Sequence, residues 1–182
     1  MGVLRVLAAL VAATVLLAGS VCAAPSEYQV KAVFLFNFSR FVEWPPSAFA
    51  SSDAPFVIGV FGYDPFGNQL DETTRGETVN GRPLLIRRVH NVSDAADCQI
   101  LFVHASEATR LDGILAVLNH RSTLTVSDLD DAARHGVMIA LATQEKRIRL
   151  RVNVDSARAA HLTISSKLLR SAQIVDAPVS GD

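Results

Sequence analysis

The sequence is poor in cysteine and has no surplus of either charge. Its 182 residues include two cysteines, which exclude a disulfide scaffold and a zinc site of four thiolates. The 17 lysines and arginines balance 18 acidic residues, whereas nucleic-acid-binding proteins usually have a strongly basic face. Hydrophobic residues make up 49% and charged residues 19% of the chain, which excludes a disordered protein. We therefore expect one folded domain that binds no nucleic acid.

The first 23 residues have the pattern of a secretory signal peptide. Arg5 provides a positive charge, an apolar segment follows over 6–18, and Val21-Cys22-Ala23 fits the small-x-small rule for cleavage. An uncleaved anchor is the alternative, because the uncharged segment over 6–26 approaches the roughly 20 residues that span a bilayer. The Gly-Ser pair at 19–20 interrupts that segment and favours cleavage. We predict a signal peptide over 1–23 and a mature domain over 24–182.

Cleavage after Ala23 would leave Cys98 as the sole thiol, so the mature chain would have no internal disulfide. Cys98 stands just before the apolar segment 100–103, where a cysteine packs as a small hydrophobic residue. We expect a buried and unreactive thiol. A disulfide between two chains is the alternative.

Hydrophobic periodicity predicts a single-domain α/β fold. Ser26 and Gln29 form a capping box before a helix over 27–41. Its expected buried stripe consists of Val30, Val33, Phe34, Phe38 and Phe41. Strands are predicted over 56–61, 84–89, 99–103, 124–127, 137–141 and 147–153, and helices over 107–118 and after 155. This order predicts a mostly parallel sheet flanked by helices, with a C-terminal antiparallel hairpin at its edge.

No motif in the chain indicates catalysis. The glycines at 59, 62 and 67 do not match the spacing of a phosphate-binding loop, and no Gly-x-Ser-x-Gly nucleophile motif is present. The five histidines form no i, i+3 or i, i+4 pair, so a helical zinc motif is excluded. Ser127-Asp128 at a strand end resembles a cap more than a catalytic pair. We expect no catalytic residue, no cofactor and no metal.

Three arginines form the most localised charge in the sequence. Arg147, Arg149 and Arg151 alternate with apolar residues, and this period of two places them on one face of a strand. A solvated sheet face is the ordinary interpretation. The alternative is a docking surface for an acidic partner or an anionic ligand.

Apolar candidates for partner contact come from two other segments. Trp44 is the single tryptophan and stands at a helix end before two prolines, where it can anchor a partner or close the core. Ile164, Leu168 and Leu169 supply the apolar face of the predicted final helical region. Because adjacent helical residues point about 100° apart, one of the two leucines should be partly exposed or face a second subunit. A homodimer is therefore one possible arrangement.

Several segments, in order, resemble one known family. They are 28–38, 41–45, Gly62-Tyr63-Asp64-Pro65-Phe66-Gly67, Gly81-Arg82-Pro83, Cys98-Gln99-Ile100-Leu101-Phe102, Leu124-Thr125-Val126-Ser127-Asp128, Asn153 and Leu162-Thr163-Ile164-Ser165-Ser166-Lys167-Leu168-Leu169. The chain resembles the YfiR-type family of periplasmic regulators from about residue 28 to residue 175.

The resemblance implies a non-enzymatic repressor. Members of this family hold an inner-membrane diguanylate cyclase inactive by binding its periplasmic sensor domain, and an outer-membrane lipoprotein can relieve the repression. Cyclic di-GMP output then controls biofilm and motility. The chain departs from the pattern of this family in two ways: it lacks an internal disulfide pair, and it has an arginine at 151. A periplasmic small-molecule sensor that uses the loop around Asp64, and a small exported hydrolase, are the alternative hypotheses.

The predicted signal peptide also indicates where the exported protein begins. Cleavage after Ala23 should release a chain that starts at Ala24 into the periplasm, because the small residues at 21 and 23 suit signal peptidase. N-terminal sequencing of the exported protein measures this directly. An intact Met1, or a mature chain that stays in the membrane, would contradict the prediction.

Overall fold

The structure is a computed structural model that describes residues 24–119 and 121–176. The predicted signal peptide over 1–23 lies outside these residues, and its cleavage stays a prediction. Within the described residues, no helix combines the length and the apolar character needed to cross a bilayer.

The elements alternate in the order expected of an α/β fold. The α-helices are α1 (Glu27–Phe41), α2 (Gln69–Thr74), α3 (Leu111–Leu118), α4 (Val154–Ala159) and α5 (Ser166–Leu169). The strands are β1 (Val42–Glu43), β2 (Phe56–Phe61), β3 (Thr78–Val79), β4 (Arg82–Val89), β5 (Ile100–Val103), β6 (Leu124–Ser127), β7 (Ile139–Gln144), β8 (Arg147–Val152), β9 (Thr163–Ile164) and β10 (Gln173–Ile174). Short 3₁₀ helices lie at Pro46–Ala48, Val92–Asp97, Ala105–Arg110 and Ala132–His135.

Eight strands of the described chain form one sheet in the order β10-β8-β7-β6-β5-β2-β4-β3. The strands β4, β2, β5, β6 and β7 run parallel, while the β7–β8 and β3–β4 pairs are antiparallel. The predicted fold class is therefore confirmed. The hairpin is not quite the end of the sheet, because β10 adds outside β8 and pairs with its last two residues.

Both faces of the sheet are covered by apolar packing. On the first face, Ile58, Phe102 and Val126 pack with residues of α1, α2, α4 and α5. On the second face, Leu101 and Val103 pack with Ile114 of α3 and with the 3₁₀ helix at Ala132–His135. The central strands are buried on both sides, which explains their continuous apolar sequence.

Helix α1 has the predicted ends but a different buried face. Ser26 and Gln29 form the predicted capping box, and the helix ends at Phe41. The predicted stripe is wrong, because the buried residues of α1 are Lys31, Ala32, Leu35, Phe38 and Ser39. Of the predicted stripe only Phe38 is buried, and Val33 is 47% exposed. Apolar residues surround most of this helix, so the sequence pattern alone left its rotation open.

The predicted final helical region is divided into separate elements. Helix α4 ends at Ala159, and Ile164 belongs to β9 rather than to a helix. Ile164 pairs with Val42 of β1 in a small antiparallel ladder. A short helix, α5, then begins after Ser165, whose side chain accepts a hydrogen bond from the Leu168 N–H. This pairing depends on contacts between distant parts of the chain, so local periodicity could not predict it.

Cys98 is buried at the amino end of β5, as predicted, and packs close to a glycine of β2. It is 2% exposed, and this burial raises the pKa of its thiol to about 11. A Cβ atom at Gly59 would lie 2.8 Å from Cys98 Sγ and 2.9 Å from Leu101 Cδ1. Both distances are below van der Waals contact, so Gly59 serves close packing rather than phosphate binding.

We expect Gly59→Ala to lower the free energy of unfolding by about 1–3 kcal/mol, because the added methyl group overpacks a rigid strand. Gly113→Ala is the matched control. Its Cβ would meet nothing within 4 Å on α3, and alanine in a helix is typically more stable than glycine by about 0.5–1 kcal/mol. Urea denaturation of the three proteins distinguishes the two changes, and equal stabilities would contradict the packing argument.

Candidate functional site

The order of the strands changes direction beside β2. Strand β4 lies on one side of β2 and β5 on the other. In open α/β sheets, ligands bind at such a switch point, outside the carboxyl ends of the strands. The loops that leave this edge begin at Gly62 after β2, His104 after β5 and Asp128 after β6. A ligand-binding or catalytic site is therefore expected among these loops.

A buried carboxylate organises this edge of the sheet. The Asp128 side chain is 4% exposed and is approached by groups from two other segments. The Tyr28 hydroxyl donates to Oδ2 at 2.9 Å, and the Ala105 N–H donates to Oδ1 at 2.9 Å. Lys31 Nζ lies 3.7 Å from Oδ2. Because Tyr28 and Lys31 belong to α1, these contacts hold the helix across the ends of β5 and β6.

Glu27 links α1 to the β7–β8 hairpin, and Lys31 pairs with the same carboxylate. The Lys31 ammonium lies 2.6 Å from Glu27 Oε1, although the Lys31 side chain is 3% exposed. The hydrogen bond from Lys31 lowers the pKa of Glu27, and the Thr143 hydroxyl donates to the same carboxylate at 2.8 Å. The carboxylate of Glu27 therefore connects the start of α1 with the end of β7.

His104 and Tyr63 lie beside Asp128 at the switch-point crevice. His104 Nδ1 accepts a hydrogen bond from the Ser106 N–H at 3.0 Å, and its Nε2 faces Asp128 Oδ2 at 3.9 Å. The ring of Tyr63, which is 66% exposed, packs edge-on against His104 with 5.2 Å between the ring centres. The polar groups of the crevice thus bind one another, and Tyr28 and Lys31 at the start of α1 reach its edge.

Asp64, the centre of the loop favoured for small-molecule sensing, is also engaged. Its Oδ2 accepts from Arg88 Nε at 2.9 Å and its Oδ1 accepts from the Phe66 N–H at 2.8 Å. Arg88 reaches Asp71 of α2 as well, which lowers the pKa of that carboxyl. Asp64 therefore ties the loop after β2 to β4. The helix after this loop starts at Gln69.

The described residues contain no arrangement typical of a catalytic or metal site. Ser127 is fully buried, and its hydroxyl accepts from the Leu129 N–H at 3.2 Å, as a capping residue does. In the same part of the chain no group of three histidine, cysteine or acidic residues is placed to hold a metal ion. Every buried side-chain polar atom there has a hydrogen-bond partner.

The three predicted arginines do lie on one face of β8, but they differ in surroundings. Arg147 and Arg149 are exposed, and among the described residues neither has an ion-pair partner. Arg151 is half-buried and donates to the Asp130 carbonyl at 2.6 Å, with Asp131 Oδ1 at 3.4 Å. Arg151 therefore joins the sheet to the 3₁₀ helix at 132–135, and the two outer arginines remain available.

The predicted apolar candidates are mostly buried. Ile164 and Leu168 are 9% and 6% exposed and belong to the core, whereas Leu169 is half-buried. One of the two leucines is thus partly exposed, as helix geometry predicts. The indole N–H of Trp44 donates to the Gln99 carbonyl at 3.0 Å, and its ring packs edge-on against Phe56. Partner contact by these residues stays a prediction.

An apolar groove lies between α1 and α5, beside β8. Its volume is about 260 Å³ and Leu150 of β8 contributes to its lining. The other lining residues are Phe34, Asn37, Phe38, Phe41, Lys167, Leu168 and Ser171. Sequence reasoning predicted a role for Leu168, but it missed the groove and the Lys31–Asp128 pair, because both depend on how α1 is rotated.

The comparisons with known proteins agree with this architecture. Residues 28–173 match the YfiR/HmsC-like family, which is most of the chain. The chain belongs to the YfiR/HmsC-like family. This is a regulatory, non-enzymatic and periplasmic family. No curated protein matches the chain.

We expect Asp128→Ala to lower the free energy of unfolding by about 1–3 kcal/mol, because it leaves the Tyr28 hydroxyl and the Ala105 N–H without their acceptor and removes one of the two carboxylates near Lys31. Glu77→Ala is the control, since it breaks an exposed pair with Arg40 that contributes about 0.5 kcal/mol or less. Thermal and urea unfolding measure both effects. A loss for Asp128→Ala no larger than that of the control would show that the Asp128 carboxylate does not hold α1.

Proposed function

We propose that this protein is an exported, non-enzymatic regulator that binds the periplasmic sensor part of an inner-membrane diguanylate cyclase and represses it. The proposal rests above all on the exposed arginines Arg147 and Arg149, which have no ion-pair partner among the described residues. Family membership supports the cyclase as the target class. The result of binding would be a lower output of cyclic di-GMP.

A repressor without catalytic groups acts by binding one state of its target more tightly than another. To move a target from almost fully active to almost fully inactive, the two affinities must differ by about 10⁴-fold. Arginines at the rim of such an interface chiefly raise the rate of association and its dependence on salt. Apolar contacts chiefly set the rate of dissociation, and the groove beside Leu150 supplies an apolar surface on the opposite face of β8 from the arginines.

The predicted signal peptide and the family support the periplasm as the place of action. Removal of residues 1–23 would release the domain into the periplasm, where the sensor parts of inner-membrane proteins are exposed. An outer-membrane lipoprotein that competes for the same surface would relieve repression. A homodimer is compatible with this scheme if its interface leaves the arginine face of β8 free.

A second candidate function is the sensing of a small anionic molecule. A cleft of about 630 Å³ lies toward the amino ends of β2 and β5, opposite the loop around Asp64. Arg87, Arg121 and His161 contribute to its lining, together with Asp97. Mass spectrometry of small molecules released from the purified protein tests this function. A bound anion that disappears in Arg87→Ala would support it.

We expect Arg149→Glu to weaken binding to the membrane partner without unfolding the protein. An exposed charge on a strand changes stability by about 0.5 kcal/mol or less, whereas reversal at an interface adds repulsion as well as removing attraction. The mature protein is used to capture partners from detergent-solubilised inner membranes at low salt, and the captured cyclase is identified by mass spectrometry. Binding and melting temperature are then measured for the same variant.

Arg75→Glu is the matched control. Arg75 is also exposed and lies at the end of α2, which packs on the β4 side of the sheet and not beside β8. This variant should bind like the parent protein. If Arg149→Glu and Arg75→Glu bind the partner equally well, the arginine face is exposed to solvent but does not contact the partner. Capture of no cyclase by the parent protein would contradict the proposed target.

A further inference from the structure

The outer edge of β8 is only partly paired. Strand β10 pairs with Arg151 and Val152, and no strand of the described residues pairs with the outer edge of β8 over 147–149. The hairpin turn consists of Glu145 and Lys146, both with positive φ, and closes on the pair formed by Gln144 and Arg147. A two-residue turn closes on a hydrogen-bonded pair, so odd-numbered residues of β8 bond to β7.

By the same alternation, the even-numbered residues of β8 direct their backbone groups outward. Val152 confirms this, because its carbonyl accepts from the Val175 N–H at 2.9 Å. The N–H and C=O of Ile148 therefore point away from the sheet, where the described chain offers them no strand. Such groups form a template for a strand from another chain.

The two faces beside this edge have different chemistry. On one face stand the guanidinium groups of Arg147 and Arg149. On the other face Leu150 lines the apolar groove between α1 and α5. Side chains of an added strand alternate between the faces, so a matching strand carries acidic residues on one side and apolar residues on the other.

Charge also decides what can occupy the edge. Over 145–150 and 166–170 the cations are Lys146, Arg147, Arg149, Lys167 and Arg170, and the one carboxylate is Glu145. Antiparallel pairing of β8 with β8 of a second copy would place the arginines of both copies on the same face, where like charges destabilise the pair. The edge therefore disfavours a second copy and favours an acidic strand.

We propose that β8 binds its partner by strand addition, and that the occupant is an extended protein segment in which acidic and apolar residues alternate. This inference rests on the proposed function, because it states how the same arginine face engages its target. The backbone of Ile148 would supply hydrogen bonds, Arg147 and Arg149 would pair with the acidic residues, and the groove would receive an apolar side chain.

The test compares two substitutions at one position. Ile148→Pro removes the outward N–H without touching the bonds to β7, and proline is tolerated at sheet edges. Ile148→Val shortens the side chain but keeps the N–H. The probe is a short synthetic peptide in which glutamate and valine alternate, measured by fluorescence anisotropy. A peptide in which lysine and valine alternate is the charge control.

We expect the acidic peptide to bind the parent protein and Ile148→Val within about twofold, and Ile148→Pro about tenfold or more weakly. The lysine peptide should not bind. Equal binding of the acidic peptide by the proline variant, or none by the parent protein, would overturn strand addition. The peptide does not depend on the cyclase, so failure of the proposed target is recognised separately in the membrane capture.

Hydrogen exchange keeps the test decisive if the proline variant does not fold. Binding of the acidic peptide to the parent protein should slow exchange of the Ile148 amide about tenfold or more, because that N–H becomes hydrogen-bonded. The Arg149 amide already points to β7 and should change little. Unchanged exchange at Ile148 in the saturated complex would overturn the proposal.

Discussion

The buried Asp128 carboxylate holds α1 on the sheet through its contacts with Tyr28 and Lys31. Apolar residues surround most of this helix, so hydrophobic burial could be satisfied by more than one rotation. A charged group in the interior is different, because leaving it unpaired costs several kcal/mol. The observed rotation brings Lys31 and Tyr28 to the Asp128 carboxylate, and it places Leu35 and Phe38 in the core.

This arrangement has a consequence for where function can lie. In an open α/β sheet the crevice at the switch point usually receives a ligand. Here the residues of α1 and the loop after β5 fill it, and its polar groups are bound to one another. Two surfaces lie away from this crevice: the exposed arginines of β8, and the groove along which the rotation of α1 leaves Phe34 and Phe41.

The same arginines meet two physical demands. A free strand edge is a site of unwanted pairing, and charged side chains on the edge strand reduce that hazard. A row of like charge also selects a partner of opposite charge and rejects a second copy of itself. The lack of an internal disulfide in the described chain leaves stability to packing, as at Cys98 and Gly59, where a methyl group would already be too large.

The sequence by itself determined the structural features that depend only on residues close together in the chain. The capping box at Ser26, the ends of α1, the strand over 56–61 and the arginine alternation are local patterns, so each could be predicted. Only the tertiary structure decided the buried face of α1, the pairing of Ile164 with Val42 and the free edge at Ile148. These features depend on a buried ion pair or on strand pairing between distant segments, and such contacts leave no periodic signal in the chain.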